Sequence, residues 1–185
     1  MYSKKKQALL IIDMINDFEF KHGEQLIPYA MRAAHTIKSM KEQLKSERIP
    51  IIYVNDNYGR WQSDFRHIVS HCAEQPVRGQ PIAKLLQPEQ DDYFILKPQY
   101  SGFFCTPLHL LLDHLSIQSL ILTGVTADMC VQFTANDGYM RGYDLHIPAD
   151  AVASQTNSRN DHALELMKHV LKADISQWSS SYTSK

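Results

Sequence analysis

The sequence predicts an α/β protein: a three-layer, doubly wound sheet, mainly parallel, with helices on both faces. Two observations support this fold class. Short apolar runs of strand length alternate with longer amphipathic segments along the chain. The short runs are apolar throughout instead of alternating with polar residues, which is typical of strands that helices cover on both faces.

Five strands are predicted from apolar runs that are too short to be helices. The first covers residues 8–12, the continuous apolar sequence ALLII. The others cover residues 49–54, 93–96, 120–125 and, with a weaker pattern, 144–147. Because the connections between them have helical patterns, the strands are expected to run mainly parallel.

Four helices are predicted between and after these strands. Residues 28–48 place apolar side chains at steps of three and four, which is the pattern of one helical face. Residues 106–115 begin with Thr-Pro, and threonine is a good N-cap while proline suits the first helical position. The remaining two helices are predicted over residues 128–140 and 158–171.

One segment departs from this alternation. Residues 55–81 show no clear periodicity and contain several aromatic and histidine side chains. Long irregular segments inside compact domains are usually lids or binding loops, so we expect an irregular active-site loop there. The whole chain, residues 1–185, is expected to form a single domain, because its length suits one sizeable core.

Composition and charge argue against several classes of protein. The 19 Lys and Arg residues nearly balance the 20 Asp and Glu residues, whereas nucleic-acid-binding proteins normally carry a basic excess. No window approaches the roughly 18 apolar residues that a membrane span requires. The apolar run near the N-terminus is too short for the core of a signal peptide. We therefore expect a cytoplasmic protein with no nucleic-acid or membrane partner.

The three cysteines, Cys72, Cys105 and Cys130, cannot all pair with one another, and their spacing fits no zinc ribbon. Any one of them, considered alone, is more often a small buried apolar residue. Cys72 and Cys105 are interpreted in that way. Cys130 falls in the first turn of the helix after the fourth strand, where the helix dipole and the exposed amides are expected to lower its pKa from about 8.5.

Other charged side chains also follow strands: Asp13 ends the first strand, Asp56 the second and Lys97 the third. In an open parallel sheet the ligand crevice lies outside the carboxyl ends of the strands, so these residues and Cys130 should meet at one edge. A lysine favours the thiolate, and a carboxylate can take its proton and return it to a leaving amine. Each residue alone also has a structural explanation: Asp13 as a cap, Lys97 as a solvated strand end, Cys130 as core.

Four segments resemble the isochorismatase-like cysteine hydrolases, also called the nicotinamidase superfamily. Residues 13–18, DMINDF, are similar to the opening D-x-Q-x-D-F of that family. Residues 97–103, KPQYSGF, resemble its lysine segment, and residues 124–131, GVTADMCV, resemble its nucleophile turn. Residues 149–154, ADAVAS, look like the segment after the next strand. The four segments occur in family order, and the resemblance covers nearly the whole chain.

The resemblance implies a triad with Cys130 as nucleophile, Asp13 as general base and acid, and Lys97 as electrostatic support for the thiolate. It also implies a cis peptide bond between Val125 and Thr126, which would turn the Thr126 amide toward an oxyanion hole completed at Cys130. The implied reaction is hydrolysis of a C–N bond in a small amide, nicotinamide-like or carbamoyl-type, through a thioester. True isochorismatases lack the catalytic cysteine, so Cys130 argues against vinyl-ether hydrolysis.

Three aromatic residues, Phe18, Trp61 and Phe103, are expected to line the substrate pocket, because pocket walls are usually apolar. Positions in the family support Phe18 and Phe103, whereas the argument for Trp61 is that a large aromatic side chain in an irregular loop needs a contact. The resemblance also implies a homo-oligomer whose order it does not specify.

Nicotinamidases usually carry an Asp-x-His metal motif after the second strand. Here residues 55–61 read NDNYGRW, so the first imidazole is absent and no metal or other cofactor is expected at Asp56. His67 and His71 have the i, i+4 spacing of a metal pair on a helix, but no matching carboxylate frame accompanies them.

Another class of function stays open from the residues alone. A non-catalytic small-molecule-binding or receiver-like signalling domain also places acidic side chains at strand ends with a lysine nearby. Receivers have no use for the turn at Cys130, and the chain is longer than they need. A nucleotide-binding oxidoreductase lacks support, because no G-x-G-x-x-G motif follows the first strand.

Overall fold

The computed structural model describes residues 5–58, 61 and 64–178. Within these residues, six strands form one sheet: β1 (Gln7–Ile12), β2 (Ile51–Asp56), β3 (Tyr93–Lys97), β4 (Ser119–Val125), β5 (Asp144–His146) and β6 (Val152–Ala153). Their order in the sheet is β3-β2-β1-β4-β5, and β6 pairs with the end of β4. All of these pairs are parallel.

The helices of the described residues are α1 (Gly23–Ser46), α2 (Phe65–Glu74), α3 (Gln80–Leu85), α4 (Leu108–His114), α5 (Gln132–Met140) and α6 (Asn157–Leu171). A π-helical turn, Ala127–Val131, joins β4 to α5. None of these helices is both long and apolar enough to cross a membrane.

The two faces of the sheet pack into separate apolar clusters. Leu9 and Ile11 of β1 belong to a cluster with α1, α2 and α3, whereas Leu10 and Ile12 belong to a cluster with α4, α5 and α6. Successive residues of a strand point to opposite faces, so a strand covered on both faces must be apolar throughout. All four of these residues are fully buried. The three-layer fold with a mainly parallel sheet is thus confirmed.

The prediction of an irregular segment over residues 55–81 was wrong where α2 forms. Asp64 caps this helix, since its side chain accepts hydrogen bonds from the backbone N–H groups of Arg66 and His67. The apolar side chains at helical spacing that face the core are Phe65, Ile68, Cys72 and Ala73. Exposed charged and polar residues interrupt this short pattern, so the helix could not be recognised from the sequence. Residues 59–60 and 62–63 of the expected loop lie outside the described residues, as do residues 1–4 and 179–185 of the expected domain.

The first helix begins at Gly23, five residues before the start predicted at Pro28, which lies inside α1. The first residue of the helix packs closely against the segment after β1. A Cβ atom at Gly23 would lie 2.1 Å from the carbonyl oxygen of Phe18, so only glycine permits this approach between the helix and the segment after β1. The two-residue strand β6 was not predicted, because it is too short to carry a pattern.

Gly124 brings β4 and β1 together at the carboxyl end of the sheet. Its φ angle is +107°, and a Cβ atom there would lie 2.0 Å from the carbonyl oxygen of Ile12. Its N–H donates to the carbonyl of Ala151 at 2.9 Å. This close approach fixes the turn after β4 relative to Asp13, the residue that follows β1.

We expect Gly124→Ala to lower the free energy of unfolding by more than about 3 kcal/mol, because the new methyl group meets backbone that cannot move away cheaply. Gly142→Ala is the matched control, since Gly142 also has a positive φ (82°) but, apart from its chain neighbours, no described residue has an atom within 4 Å of its Cβ position. Its expected cost is about 1 kcal/mol. Urea unfolding measures both changes, and equal losses would contradict the steric argument.

Candidate active site

The carboxyl ends of β1, β3 and β4 place three reactive side chains together. Asp13 directly follows β1, Lys97 is the last residue of β3, and Cys130 lies in the π-helical turn after β4. Strands β3 and β1 are separated by β2, which puts them about 10 Å apart. The long side chain of Lys97 spans this distance and reaches Asp13.

Lys97 has no exposed surface, and its ammonium group contacts three groups. Its Nζ lies 2.9 Å from Oδ2 of Asp13, 3.4 Å from Sγ of Cys130 and 3.6 Å from Oδ2 of Asp56. Burial by itself lowers the pKa of Lys97, but the negative charge of Asp13, the Cys130 sulfur and Asp56 outweigh burial and raise that pKa above its usual value. Lys97 therefore carries a positive charge at neutral pH.

Both carboxylate oxygens of Asp13 are held in place. Oδ2 pairs with Lys97, and Oδ1 accepts a 2.8 Å hydrogen bond from the backbone N–H of Asp56. The Asp13 backbone N–H donates to the carbonyl of Val54 at 2.9 Å, and its φ angle of 53° is in the left-handed region that aspartate tolerates. The side chain is 8% exposed, so its direction is fixed by these contacts.

One carbonyl group accepts two backbone hydrogen bonds from the turn that carries Cys130. The backbone N–H groups of Met129 and Val131 both donate to the carbonyl of Thr126, each at 3.1 Å. On the α5 side, the hydroxyl of Thr134 donates to the carbonyl of Cys130 at 2.7 Å and accepts from the N–H of Gly102 at 2.9 Å. Thr134 thus joins the cysteine turn to the loop that follows Lys97.

The pKa expected for Cys130 from its place at a helix start was wrong in direction. Burial raises the pKa of the Cys130 thiol, the charge of Asp13 raises it further, and the charge of Lys97 offsets only part of that rise. Cys130 is consequently a neutral thiol at neutral pH, next to a carboxylate and an ammonium group. Such a set can transfer a proton from sulfur to carboxylate at the moment when sulfur attacks a substrate.

The peptide bond between Val125 and Thr126 is cis, the geometry implied by the resemblance. The Thr126 hydroxyl oxygen is buried, and no described residue makes a hydrogen bond to it. The Thr126 carbonyl accepts the two bonds that shape the π-helical turn. The role of this segment as an oxyanion hole stays a prediction.

The three aromatic residues expected at the pocket differ widely in exposure. Phe18 is fully buried and packs 6.1 Å from the ring of Phe20. Phe103 is also buried, stacked on Tyr143 and covered by the guanidinium group of Arg141. Trp61 is 78% exposed. Substrate contact by these side chains stays a prediction.

The described residues do not fit a metal ion. They bring no three His, Cys, Asp or Glu side chains together in a way that could hold one. Asp56 instead approaches Lys97, and its Oδ1 accepts from the N–H of Tyr58 at 2.6 Å. His71 lies 3.3 Å from Asp17.

Sequence reasoning placed Asp56 at the same sheet edge as Asp13, since it ends β2, but gave it no role beside Lys97. It missed one other contributor to the site. Thr134 lies four residues after Cys130, one helical turn away, and that spacing could have indicated a bond back to the Cys130 carbonyl.

Comparison with known proteins agrees with this architecture. The isochorismatase domain family matches residues 7–178. The chain is 44% identical over 173 residues to the isochorismatase family protein YaaI of Bacillus subtilis, covering 94% of each chain. It is 30% identical to a probable inactive nicotinamidase of Arabidopsis thaliana, covering 95% of each. The crystal structure of N-carbamoylsarcosine amidase from Thermoplasma acidophilum is similar with a TM-score of 0.72 and 27% identity, over 93% of this chain and 96% of that one. The protein therefore belongs to the isochorismatase family.

Proposed function

We propose that this protein is a cysteine hydrolase that cleaves the C–N bond of a small amide through a thioester on Cys130. The observation that carries the proposal is the fully buried ammonium group of Lys97, which touches both the Asp13 carboxylate and the Cys130 sulfur. A buried cation, a carboxylate and a thiol in contact form the set that acyl transfer to sulfur requires. Membership of the isochorismatase family and the likeness to an amidase support the proposal.

In the first half of the reaction, the Cys130 sulfur attacks the amide carbonyl carbon while Asp13 takes the thiol proton. The raised pKa of Cys130 means that the proton leaves sulfur during attack and not beforehand. Lys97 stabilises the negative charge that develops on sulfur. The backbone N–H groups of Thr126 and Cys130 are proposed to donate to the oxyanion. Asp13 then returns the proton to the leaving nitrogen, which departs as ammonia or an amine.

In the second half, water attacks the thioester carbon. Asp13 takes a proton from that water, and the carbon–sulfur bond breaks as Cys130 recovers a proton. The balance is one amide and one water converted to one carboxylic acid and one amine. No step requires an oxidant, a reductant or a metal ion.

The substrate class is a small carboxamide or a carbamoyl compound. N-carbamoylsarcosine amidase is a structural neighbour at 27% identity, which supports the carbamoyl type. Phe18, Trp61 and Phe103 are proposed to contact the substrate, although only Trp61 has substantial exposed surface. The non-catalytic alternative is favoured by the Arabidopsis thaliana relative, which is described as a probable inactive nicotinamidase. The complete contact set around Lys97 favours catalysis.

Cys130→Ala is expected to reduce amide hydrolysis at least about 10³-fold, because no other group replaces a lost nucleophile. The measurement is ammonia release from nicotinamide and from N-carbamoyl amino acids by the purified protein. Cys105→Ala is the matched control and should retain the wild-type rate. The expectation that Cys105 is buried was wrong, since its thiol is exposed, whereas Cys72 is buried as expected. Equal rates for Cys130→Ala and the wild type would rule out Cys130 as the nucleophile.

Asp13→Asn and Lys97→Met should change the pKa of Cys130 in opposite directions. The charge of Asp13 raises that pKa, so Asp13→Asn should lower it, and Lys97 lowers it, so Lys97→Met should raise it, each by about one unit or more. At pH 8 the Asp13 variant should therefore hold more thiolate and react faster with iodoacetamide than the wild type. Both variants should lose amide hydrolysis.

Peptide mass spectrometry measures the rate of Cys130 labelling at fixed pH values between 6 and 10, with exposed Cys105 as the internal reference. Slower labelling of Cys130 in Asp13→Asn than in the wild type would contradict the electrostatic description of the site.

A further inference from the structure

Asp128 lies two residues before Cys130 in the π-helical turn, and both of its carboxylate oxygens are engaged. Oδ1 accepts a 2.7 Å hydrogen bond from the hydroxyl of Ser154. Oδ2 accepts from Nε of Arg159 at 2.6 Å and lies 2.5 Å from Nη2 of the same guanidinium group. Both guanidinium nitrogens thus contact one oxygen, and charge-assisted hydrogen bonds are among the stronger hydrogen bonds in proteins.

The partners of Asp128 are themselves held by the fold. Ser154 is buried and directly follows β6, which pairs with the end of β4. Arg159 lies in the first turn of α6, where its backbone N–H donates to the capping hydroxyl of Thr156 at 3.2 Å. The guanidinium group also contacts the side chain of Gln155. The carboxylate therefore ties the turn to the connection between β6 and α6.

The Asp128 carboxylate is ionised in this setting. Burial by itself raises the pKa of Asp128, but the Ser154 hydroxyl and the Arg159 guanidinium group outweigh burial and hold that pKa below its usual value. The side chain of Asp128 is 17% exposed, so the pair is partly shielded from water. Such an ion pair is worth more than one on an open surface.

The π-helical turn is five residues long, and this rare geometry occurs frequently at functional sites. Two N–H groups of this turn share the Thr126 carbonyl, and Thr134 holds it from the α5 side. Asp128 holds it from the β6 side. The position of Sγ relative to Nζ of Lys97, 3.4 Å away, depends on where the turn sits.

We propose that Asp128 is a positioning residue that, with Arg159 and Ser154, holds Cys130 at contact distance from Lys97. Its contacts go to Ser154 and Arg159, so it acts through the backbone of the turn and does not itself touch the reacting atoms. As far as hydrolysis is concerned, this inference rests on the proposed function. A displacement of about 1 Å at a reacting group can cost about 100-fold in rate.

The test compares Asp128→Asn and Arg159→Gln with the wild type in amide hydrolysis. We expect kcat to fall about 10- to 100-fold in each, while KM changes less than about twofold, because the turn moves and the substrate pocket does not. Glu165→Gln is the matched control. Glu165 forms exposed ion pairs with Lys168 and His169 on the same helix as Arg159, and its loss should leave kcat unchanged.

Two further variants separate positioning from general stability. The double variant Asp128→Asn/Arg159→Gln should be no slower than the slower single variant, because both changes remove the same contact. Arg159→Lys keeps the positive charge but loses the planar guanidinium group, so its kcat should lie between that of Arg159→Gln and that of the wild type. A change in thermal stability with kcat within twofold of the wild type would overturn the proposal. A rise in KM at constant kcat would also overturn it.

Labelling of Cys130 with iodoacetamide tests the same inference without any substrate. Because the pKa of Cys130 depends on Asp13 and Lys97, a displaced turn should change the labelling rate of Cys130 at a fixed pH by at least about threefold in Asp128→Asn. An unchanged rate would count against positioning even if the wild type hydrolyses no amide. If Asp128→Asn fails to fold, Arg159→Gln takes its place, since the Arg159 side chain is 48% exposed.

Discussion

A lysine side chain with no exposed surface sits at the carboxyl end of β3, and the arrangement of the site follows from its need for partners. Moving an ammonium group out of water costs several kcal/mol unless opposite charge compensates it. Asp13 supplies that charge at 2.9 Å and Asp56 adds to it at 3.6 Å. Removing one partner of a buried pair typically costs about 3–5 kcal/mol. The stability of the fold and the geometry around Cys130 are therefore linked through Lys97.

The same balance of charge determines the resting state of the sulfur. Lys97 favours a thiolate, yet the larger effects of burial and of the Asp13 carboxylate raise the pKa of Cys130. The stable arrangement is an ion pair between Lys97 and Asp13 beside a neutral thiol. In the proposed reaction this arrangement is an advantage, because Asp13 is ready to accept the proton and sulfur is not consumed by other electrophiles. The thiolate forms only when a carbonyl carbon is there to receive it.

The sequence predicted the layers and the edge at which the site lies, because both follow from short-range patterns. Apolar runs mark strands covered on both faces, and a parallel sheet brings the residues after its strands to one edge. Asp13 and Lys97 could therefore be assigned to the same place from their positions after strands. The start of α1 could not be predicted in this way. Gly23 packs against the carbonyl group of Phe18 there, and no local sequence pattern indicates that contact.

The direction of the pKa change at Cys130 could not be predicted from the sequence for a similar reason. A helix start and a lysine are visible in the residues, and both argue for a lower pKa. Burial of the thiol and its closeness to Asp13 arise only when β1 and β4 pack side by side. The contacts of Asp128 were likewise invisible, because its partners Ser154 and Arg159 come 26 and 31 residues later.

The position of the Cys130 sulfur is set by packing around its turn more than by the turn's own hydrogen bonds. Gly124 lets β4 close against Ile12, which fixes where the turn begins. Thr134 holds the turn from α5, and Asp128 holds it from the β6–α6 connection. Contacts from three directions restrict this short π-helical turn. A reactive group can then sit on non-α-helical backbone and still meet Lys97 at a fixed distance, because the rigid sheet and helices supply the precision that the turn lacks.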